Sequence, residues 1–511
     1  MVDQPSSEHG HVRAEFLSVA GFLSENLAEP QRARVLLPGF NQWHFALDAL
    51  VETAIGFRDI GAEVTFAFWA DATPMVDTGW TTSHALARLL RSPALDERYA
   101  MGLRSLGFGE ECFTSPPILD WTPVGALPLI DGLQRSDVRE LTYRDSAVGR
   151  AILQVRPQPM TPTAEDHEWP KRWVEACVRS YAFVYDQIAQ VIEDRRISTL
   201  VTYNGRFLHD RAAVAAARAA GVSVLYYDQG GSDTAFDLTG DQTHDWVALQ
   251  ERMRAMYDAW PPDERDELGA SWFWDRASHT DPRNAHFTDG QEPGTMVDLP
   301  EGECVVVYFS SSSDEIAELE VDWSEYFGDQ HEALRQVAAV CRSLPGYRLV
   351  IRSHPHKRHK PTRDVQEWLQ VVDEVDPDLH IGPHSSVDSY SLMQAADLVI
   401  TYGSTTGVEA GFAGKPVIVL GPSAYDEIGC AIRPKTKEEL ASAIRERSVG
   451  TQHGAILYGL MMKRRGFHAD HITLNDKGER TLGGVPLEDS RELVRHGSHL
   501  MAKWRRRYLT N

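Results

Sequence analysis

The 511-residue chain has no apolar run approaching the roughly 18 residues that a membrane-crossing helix requires. Its opening, MVDQPSSEHGHVRAEF, lacks the basic stretch followed by an apolar core that marks a secretory signal. Cysteine is scarce. The five present (Cys112, Cys177, Cys304, Cys341 and Cys430) are scattered and form no CxxC pair, which argues against a disulfide or zinc framework and suits a reducing compartment. The expected location is therefore the cytoplasm. Basic residues are outnumbered, with 51 Lys and Arg against 74 Asp and Glu. The net charge of −23 excludes a general nucleic-acid binder, which needs a concentrated basic footprint. HExxH, zinc-ligand spacing and a strand-end DxD are all missing, so nothing in the sequence calls for a metal ion. The absence of GxGxxG counts against a dinucleotide-dependent oxidoreductase.

What is present reads as an α/β protein of two domains. Hydrophobic residues make up 42% of the chain, a globular proportion, and the length exceeds one ordinary core. Residues 33–38 (ARVLLP), a helical pattern over 46–58 and EVTFAFWA (63–70) make a βαβ opening and predict a parallel sheet. Residues 71–170 read as an elaboration of that sheet. A long helix over 173–194 then leads to TLVTYN (199–204), an Ala-rich helix and VSVLYYD (222–228), ending in the Gly-rich turn QGGSDT. The polar, turn-rich segment 276–298 reads as an interdomain linker. After it, strands near 304–312, 347–356, 379–381, 397–404 and 416–421 alternate with helices, the doubly wound pattern. The expected division is 1–295, 296–449 and a helical C-terminal extension over 450–511.

Two segments of the second half carry the sharpest chemistry. In ADLVITYGSTTGVEAGFAGKPVIVLG (396–421) a buried strand runs through Gly403 into Ser404, Thr405 and Thr406 at a helix start. Free backbone N–H groups, the positive end of the helix dipole and hydroxyl donors together favour a phosphate. Glu409, one turn on, is placed to accept from ribose hydroxyls. The competing reading is that Ser404 or Thr405 simply caps the helix. In VIRSHPH (350–356), Arg352 and His354 end a strand and offer a guanidinium and an imidazole to a phosphate, with Lys357 to Lys360 read as a solvated basic turn. Ser310 and Ser311, within the run Ser310 to Ser313, allow close approach of a nucleotide or sugar, or form an ordinary loop.

In the first half the candidates follow strand ends. Asn41, Asn204, Arg206 and Gln229 are candidate acceptor-binding groups. His44 and Asp228 are the chemically suitable bases for deprotonating an acceptor hydroxyl. For Asp228 the alternative is a turn-forming Asp before Gly-Gly, and His244 with Asp245 forms a further possible pair.

The RSHPH motif (352–356), DLVITYGSTTGVEAGFAGKPVIVLG (397–421) and NGR (204–206) followed by YYDQGG (226–231) resemble the GT-B glycosyltransferases of the bacterial capsule polysaccharide biosynthesis superfamily. The resemblance implies two Rossmann-like domains facing across a cleft, with the donor nucleotide held mainly by the second. It implies donor-phosphate contacts from His354, Pro355, Ser404, Thr405 and Thr406. It maps the acidic residue of the first domain onto Asp228, where a Glu is expected. The paired-glutamate spacing of many retaining members is missing, since Thr401 stands eight residues before Glu409.

The expected activity is metal-independent transfer of a sugar from a nucleotide-activated donor, without a cofactor, to a surface-glycan or lipid-linked acceptor. A UDP-sugar epimerase or polyol-phosphate transferase on the same fold, and a non-catalytic carbohydrate-binding protein, are the alternatives. The basic tail HLMAKWRRRYLT (499–510), with Trp504 and Tyr508, suggests peripheral contact with the inner face of a membrane, against packing of a terminal helix on the first domain.

Overall fold

The computed structural model describes residues 18–27, 29–40, 43–69, 93, 95–114, 132–155, 169–232, 234–284, 288, 290–311, 326–359, 362–476 and 478–488. The chain forms two compact units, Met1–Thr243 with Gly466–Asn511, and His244–Arg465.

The first unit is built on β1 (Arg34–Pro38), β2 (Glu63–Ala67), β3 (Thr199–Tyr203), β4 (Ser223–Gln229) and β5 (Ala235–Thr239). With β11 (Phe467–His468) they form a six-stranded sheet in the order β11-β5-β4-β3-β1-β2. The four strands from β4 to β2 are parallel, and β5 and β11 are antiparallel additions at one edge. Alternate residues feed two cores. Leu36, Leu200 and Tyr226 join one face, while Val35, Leu37, Val201, Leu225 and Tyr227 join the other. The first face is covered by the helices Lys171–Arg195 and Leu208–Ala219, whose buried residues lie in the same cluster. The helix His44–Asp59 packs on the second face.

The second unit has the all-parallel sheet β10-β9-β6-β7-β8. Its strands are β6 (Cys304–Phe309), β7 (Tyr347–Arg352), β8 (Leu379–Ile381), β9 (Leu398–Thr401) and β10 (Val417–Val419). Every residue of β6 is buried, as expected of a strand covered on both sides. Cys304, Val306 and Tyr308 enter one core, and Val305, Val307 and Phe309 the other. Both units are thus Rossmann-like sheets covered on two faces.

Three sequence expectations change. Residues 276–298 are not an interdomain linker: the division falls between Thr243 and His244, so the whole segment lies within the second unit. The helices Trp246–Ala259 and Arg265–Ala277, assigned to the first domain, bury Met253, Tyr257, Trp272 and Phe273 in a core shared with the helix Gln452–Arg464. The C-terminal extension is not simply helical. After Gln452–Arg464 the chain returns to the first unit and adds a small antiparallel sheet, β12 (Ile472–Leu474), β13 (Arg480–Leu482) and β14 (Val485–Pro486). The Gly-rich turn after β4 leads back into antiparallel β5, with Gly230 donating its amide to the Ala235 carbonyl. The basic tail at 499–510 and Asn41 lie outside the described residues.

Candidate functional site

Strand β9 ends buried at Thr401, and the chain then turns through Gly403, whose φ of +143° lies in the region that favours glycine. Tyr425 braces this turn from below. Its hydroxyl donates to the Ser404 carbonyl at 2.6 Å, which leaves Thr401 Oγ1, at 2.8 Å, as the donor to the tyrosine oxygen. A Cβ on Gly407 would stand 2.3 Å from the same hydroxyl, so only glycine allows the helix to approach it. Ser404, Thr405 and Thr406 line a pocket at this edge. Thr405, at the cap position, makes no side-chain capping bond, and the Thr406 amide reaches Ser404 Oγ only at 3.4 Å. Helix capping therefore does not account for the hydroxyls.

The ends of β6 and β7 supply the neighbouring wall. The His354 amide donates to Ser310 Oγ at 2.8 Å, so the serine oxygen is an acceptor there and its O–H proton is directed elsewhere. His354 Nδ1 accepts the His356 amide at 3.1 Å. In the neutral ring the proton must then be on Nε2, making His354 a hydrogen-bond donor through that atom. Ser310 and His354 both line the pocket.

Arg352 is 1% exposed and its guanidinium is held by the backbone, donating to the Gly382 carbonyl at 2.6 Å and the Val387 carbonyl at 3.4 Å. Burial pulls its pKa down to about 10, with Asp388 opposing. It stays cationic near neutrality, but the bidentate clamp expected of it is already committed. Ser311 is placed differently from expectation. Its amide donates to the Gln330 side chain, its carbonyl accepts from the same amide group, and it does not line the pocket. Ser312 and Ser313 lie outside the described residues.

The remaining wall comes from the segment first read as a linker. Arg276 Nε donates to Glu409 Oε1 at 2.6 Å, and Arg276 also pairs with Asp281 at 3.4 Å. Its guanidinium lies 4.6 Å from the Trp272 ring centroid. Glu409 is 6% exposed; burial pushes its carboxyl up, and the Arg276 charge opposes that. The coupled pair holds Arg276 well above its ordinary value. Asn284 donates to the Tyr390 hydroxyl at 3.0 Å, and both residues line the pocket with Thr288 and Gln291. Arg276 and Asn284 escaped the sequence reading because a polar, turn-rich composition marks connectors and pocket walls alike. The usable signal was the amphipathic helix Arg265–Ala277, with Arg276 in its last turn. The enclosed part of the pocket measures about 90 Å³. Sites that enclose a whole ligand run to roughly 300–1,000 Å³, and this pocket is smaller.

In the first unit, His44, Asn204 with Arg206, and Asp228 with Gln229 follow or end the adjacent strands β1, β3 and β4. The fold therefore brings them to the carboxyl ends of neighbouring parallel strands. Asn204 is buried and accepts the Arg206 amide at 3.2 Å, closing a turn in which Gly205 has φ +71°. The Arg206 guanidinium stacks 5.3 Å from the Phe207 centroid. Asp228 accepts the Gln229 amide at 2.7 Å and also bonds to Tyr203, whose hydroxyl is held far above its usual pKa mainly by burial and next by Asp228. Gln229 is exposed. His44 Nδ1 lies 3.1 Å from the Tyr99 hydroxyl. Burial chiefly, and then the Arg480 charge, hold its pKa below the usual imidazole value. Asp245 caps the helix Trp246–Ala259 through the Ala248 amide, and His244 packs on Trp246.

Residues 318–456 match the model of a family described as capsule polysaccharide biosynthesis protein. Both RSHPH and DLVITYGSTTGVEAGFAGKPVIVLG lie inside that stretch, so the resemblance holds there. No curated protein matches the chain significantly. Among solved structures, the chain is distantly similar to the KpsC beta Kdo 2,4 transferase of Thermosulfurimonas dismutans, at 16% identity and TM-score 0.35, over 52% of this chain and 79% of that one. It is similar to the spinosyn rhamnosyltransferase SpnG at 14% identity and TM-score 0.25, over 86% and 98% of the two chains. A third likeness is to the UDP-GlcNAc 2-epimerase of Neisseria meningitidis, at 12% identity and TM-score 0.24, over 57% and 82%.

Proposed function

We propose that the protein is a glycosyltransferase that takes a sugar from a nucleotide-activated donor and passes it to a hydroxyl of a surface-glycan or lipid-linked acceptor. The observation that carries this reading is the convergence of donors on one small pocket. Ser310, His354 and the Ser404 to Thr406 turn come from three strand ends of one parallel sheet. Arg276 and Arg352 add two cations beside one carboxylate, Glu409, which Arg276 already balances. Such a pocket suits an anion, and its enclosed volume suits the phosphate end of a nucleotide sugar.

The reaction follows from that placement. The acceptor oxygen forms a bond to the anomeric carbon while the bond from that carbon to the phosphate oxygen breaks. The released electron pair and negative charge pass to the nucleotide phosphate, where the Ser310, His354 and Ser404 to Thr406 donors stabilise them. A base removes the acceptor proton. His44 suits this better than Asp228, whose carboxylate is engaged by the Gln229 amide and Tyr203. We place the reaction in the cytoplasm, with the basic tail at 499–510 as a contact for the membrane carrying a lipid-linked acceptor.

The test pairs binding with turnover. UDP, CMP and GDP are each titrated while melting is followed, and the matching nucleotide sugars are assayed for nucleotide release. One nucleotide should raise the melting temperature, and Ser404→Ala and His354→Ala should each diminish the rise. If no nucleotide stabilises the protein and neither variant differs from wild type, the reading is wrong. Turnover of a nucleotide sugar to its epimer without an acceptor would replace transfer with epimerisation.

A further inference from the structure

The helix His44–Asp59 carries three polar residues at four-residue spacing, His44, Asp48 and Glu52, which share one face. Asp48 and Glu52 are 8% and 6% exposed, which polar groups tolerate only when partnered. Their partners come from the C-terminal segment that returns to the first unit. Arg480, the first residue of β13, bonds Asp48 Oδ2. His471 bonds both Glu52 oxygens, through its amide at 2.6 Å and Nδ1 at 2.8 Å. Tyr99, fully buried on the helix Leu95–Ser105, stands between Asp48 and His44.

The proton positions in this chain follow from donor counting. Tyr99 has one hydroxyl proton, and its shortest acceptor is the Asp48 carboxylate at 2.6 Å, against 3.4 Å to the His44 carbonyl. The bond to an ionised acceptor is the stronger, so the proton goes to Asp48. The Tyr99 oxygen, which also accepts a hydrogen bond from Arg480, then has a lone pair for His44 Nδ1 at 3.1 Å, and the imidazole must supply the proton. A neutral His44 therefore carries its hydrogen on Nδ1 and its lone pair on Nε2.

The charges around His44 are Asp48 on its own helix, Arg480 on β13 and Glu488 beyond β14. An unbalanced Asp48 would draw a proton onto the imidazole, and so would Glu488. Arg480 cancels the first of these, so Asp48 orients the ring through Tyr99 without making it cationic.

We infer that Tyr99, Asp48 and Arg480 form a positioning relay that holds His44 as a neutral imidazole protonated on Nδ1, leaving Nε2 as its basic atom. This deepens, and rests on, the reading of His44 as the base. The C-terminal segment thereby supplies a residue that governs the chemistry of a side chain more than 400 positions earlier.

The test uses the full chain with isotope-labelled histidine, the His44 signals being identified by their loss in His44→Gln. Long-range nitrogen–proton spectra report which ring nitrogen is protonated, and a pH titration reports the midpoint. Wild type should show Nδ1–H. Tyr99→Phe removes the acceptor, and the ring should revert to the Nε2–H form that free imidazole side chains prefer. Arg480→Gln should keep the Nδ1–H form and raise the midpoint by on the order of one pH unit, since one nearby cation is lost. The acid limb of nucleotide release, assayed with the UDP-, CMP- and GDP-sugar panel, should move up with it. A purely structural Arg480 would lower the melting temperature and leave both midpoints in place.

An Nε2–H ring in wild type overturns the relay, as does an unmoved midpoint in Arg480→Gln. If Tyr99→Phe does not fold, the wild-type tautomer and Arg480→Gln still decide. Should His44→Gln release nucleotide at the wild-type rate while the tautomer responds as stated, the relay stands and the base reading fails. Should His44→Gln be inactive while the tautomer ignores Tyr99→Phe, the relay fails alone.

Discussion

Two histidines at two sheet edges are held in opposite protonation patterns. In the second unit, His354 Nδ1 accepts the His356 amide, so the neutral ring has its proton on Nε2 and is a donor in the pocket wall. In the first unit, His44 Nδ1 is paired with Tyr99, whose own proton is claimed by Asp48, so Nε2 keeps the lone pair. The residue type is the same and so is its place after a parallel strand. What differs is the partner of Nδ1, a backbone amide in one case and a lone-pair-bearing phenol in the other. A leaving phosphate needs a donor and an acceptor hydroxyl needs a base, and the two environments are complementary in that sense.

The largest expected effect breaks the basic side of this comparison. His44→Gln should lower the transfer rate by about 10²–10⁴-fold, the usual contribution of a general base, while the nucleotide-induced rise in melting temperature persists. A parallel loss of nucleotide binding would remove the distinction between the two edges. Next in size is Arg276→Met, which leaves Glu409 as an uncompensated buried charge. It should cost about 3–5 kcal/mol of stability in denaturant unfolding, and Arg276→Met combined with Glu409→Gln should recover much of that.

The donor side should respond more gently. His354→Ala removes one hydrogen bond to a charged group, worth about 1.5–3 kcal/mol, which calorimetry would read as weaker nucleotide binding with unchanged pH dependence of turnover. The smallest effect is on pH-dependent stability. The folded state holds the His44 pKa below its unfolded value, so on acidification the unfolded chain takes up a proton there before the native one. Wild type should therefore lose stability relative to His44→Gln as pH falls through the ordinary imidazole range. An identical pH slope for the two proteins would show that His44 titrates normally.

Much of the second sheet was legible because its strands are continuous apolar runs separated by helical periodicity, and RSHPH and GSTT fall where such strands end. Position alone placed Ser310, His354 and Ser404 to Thr406 together. It did not separate Ser310 from Ser311: neighbouring residues leaving a strand face opposite ways, and only one of them meets the pocket. Nor did it show that Arg352, a reasonable phosphate clamp by type, is engaged by the Gly382 and Val387 carbonyls. Arg276 was hidden for another reason. Segment 276–298 has the composition of a solvated connector, and a pocket wall that presents polar groups has the same composition.

The sequence by itself determined two Rossmann-like sheets and the strand edge at which hydroxyls and an imidazole gather. Those features depend on local periodicity and on residues close together in the chain. The tertiary structure alone decided the pairing of Arg276 with Glu409, the division of the chain between units, and the return of β13 to place Arg480 against Asp48. These depend on contacts between residues far apart in the chain. The protonation state of a histidine belongs to that second class, because it is set by whatever group the fold brings to the other ring nitrogen.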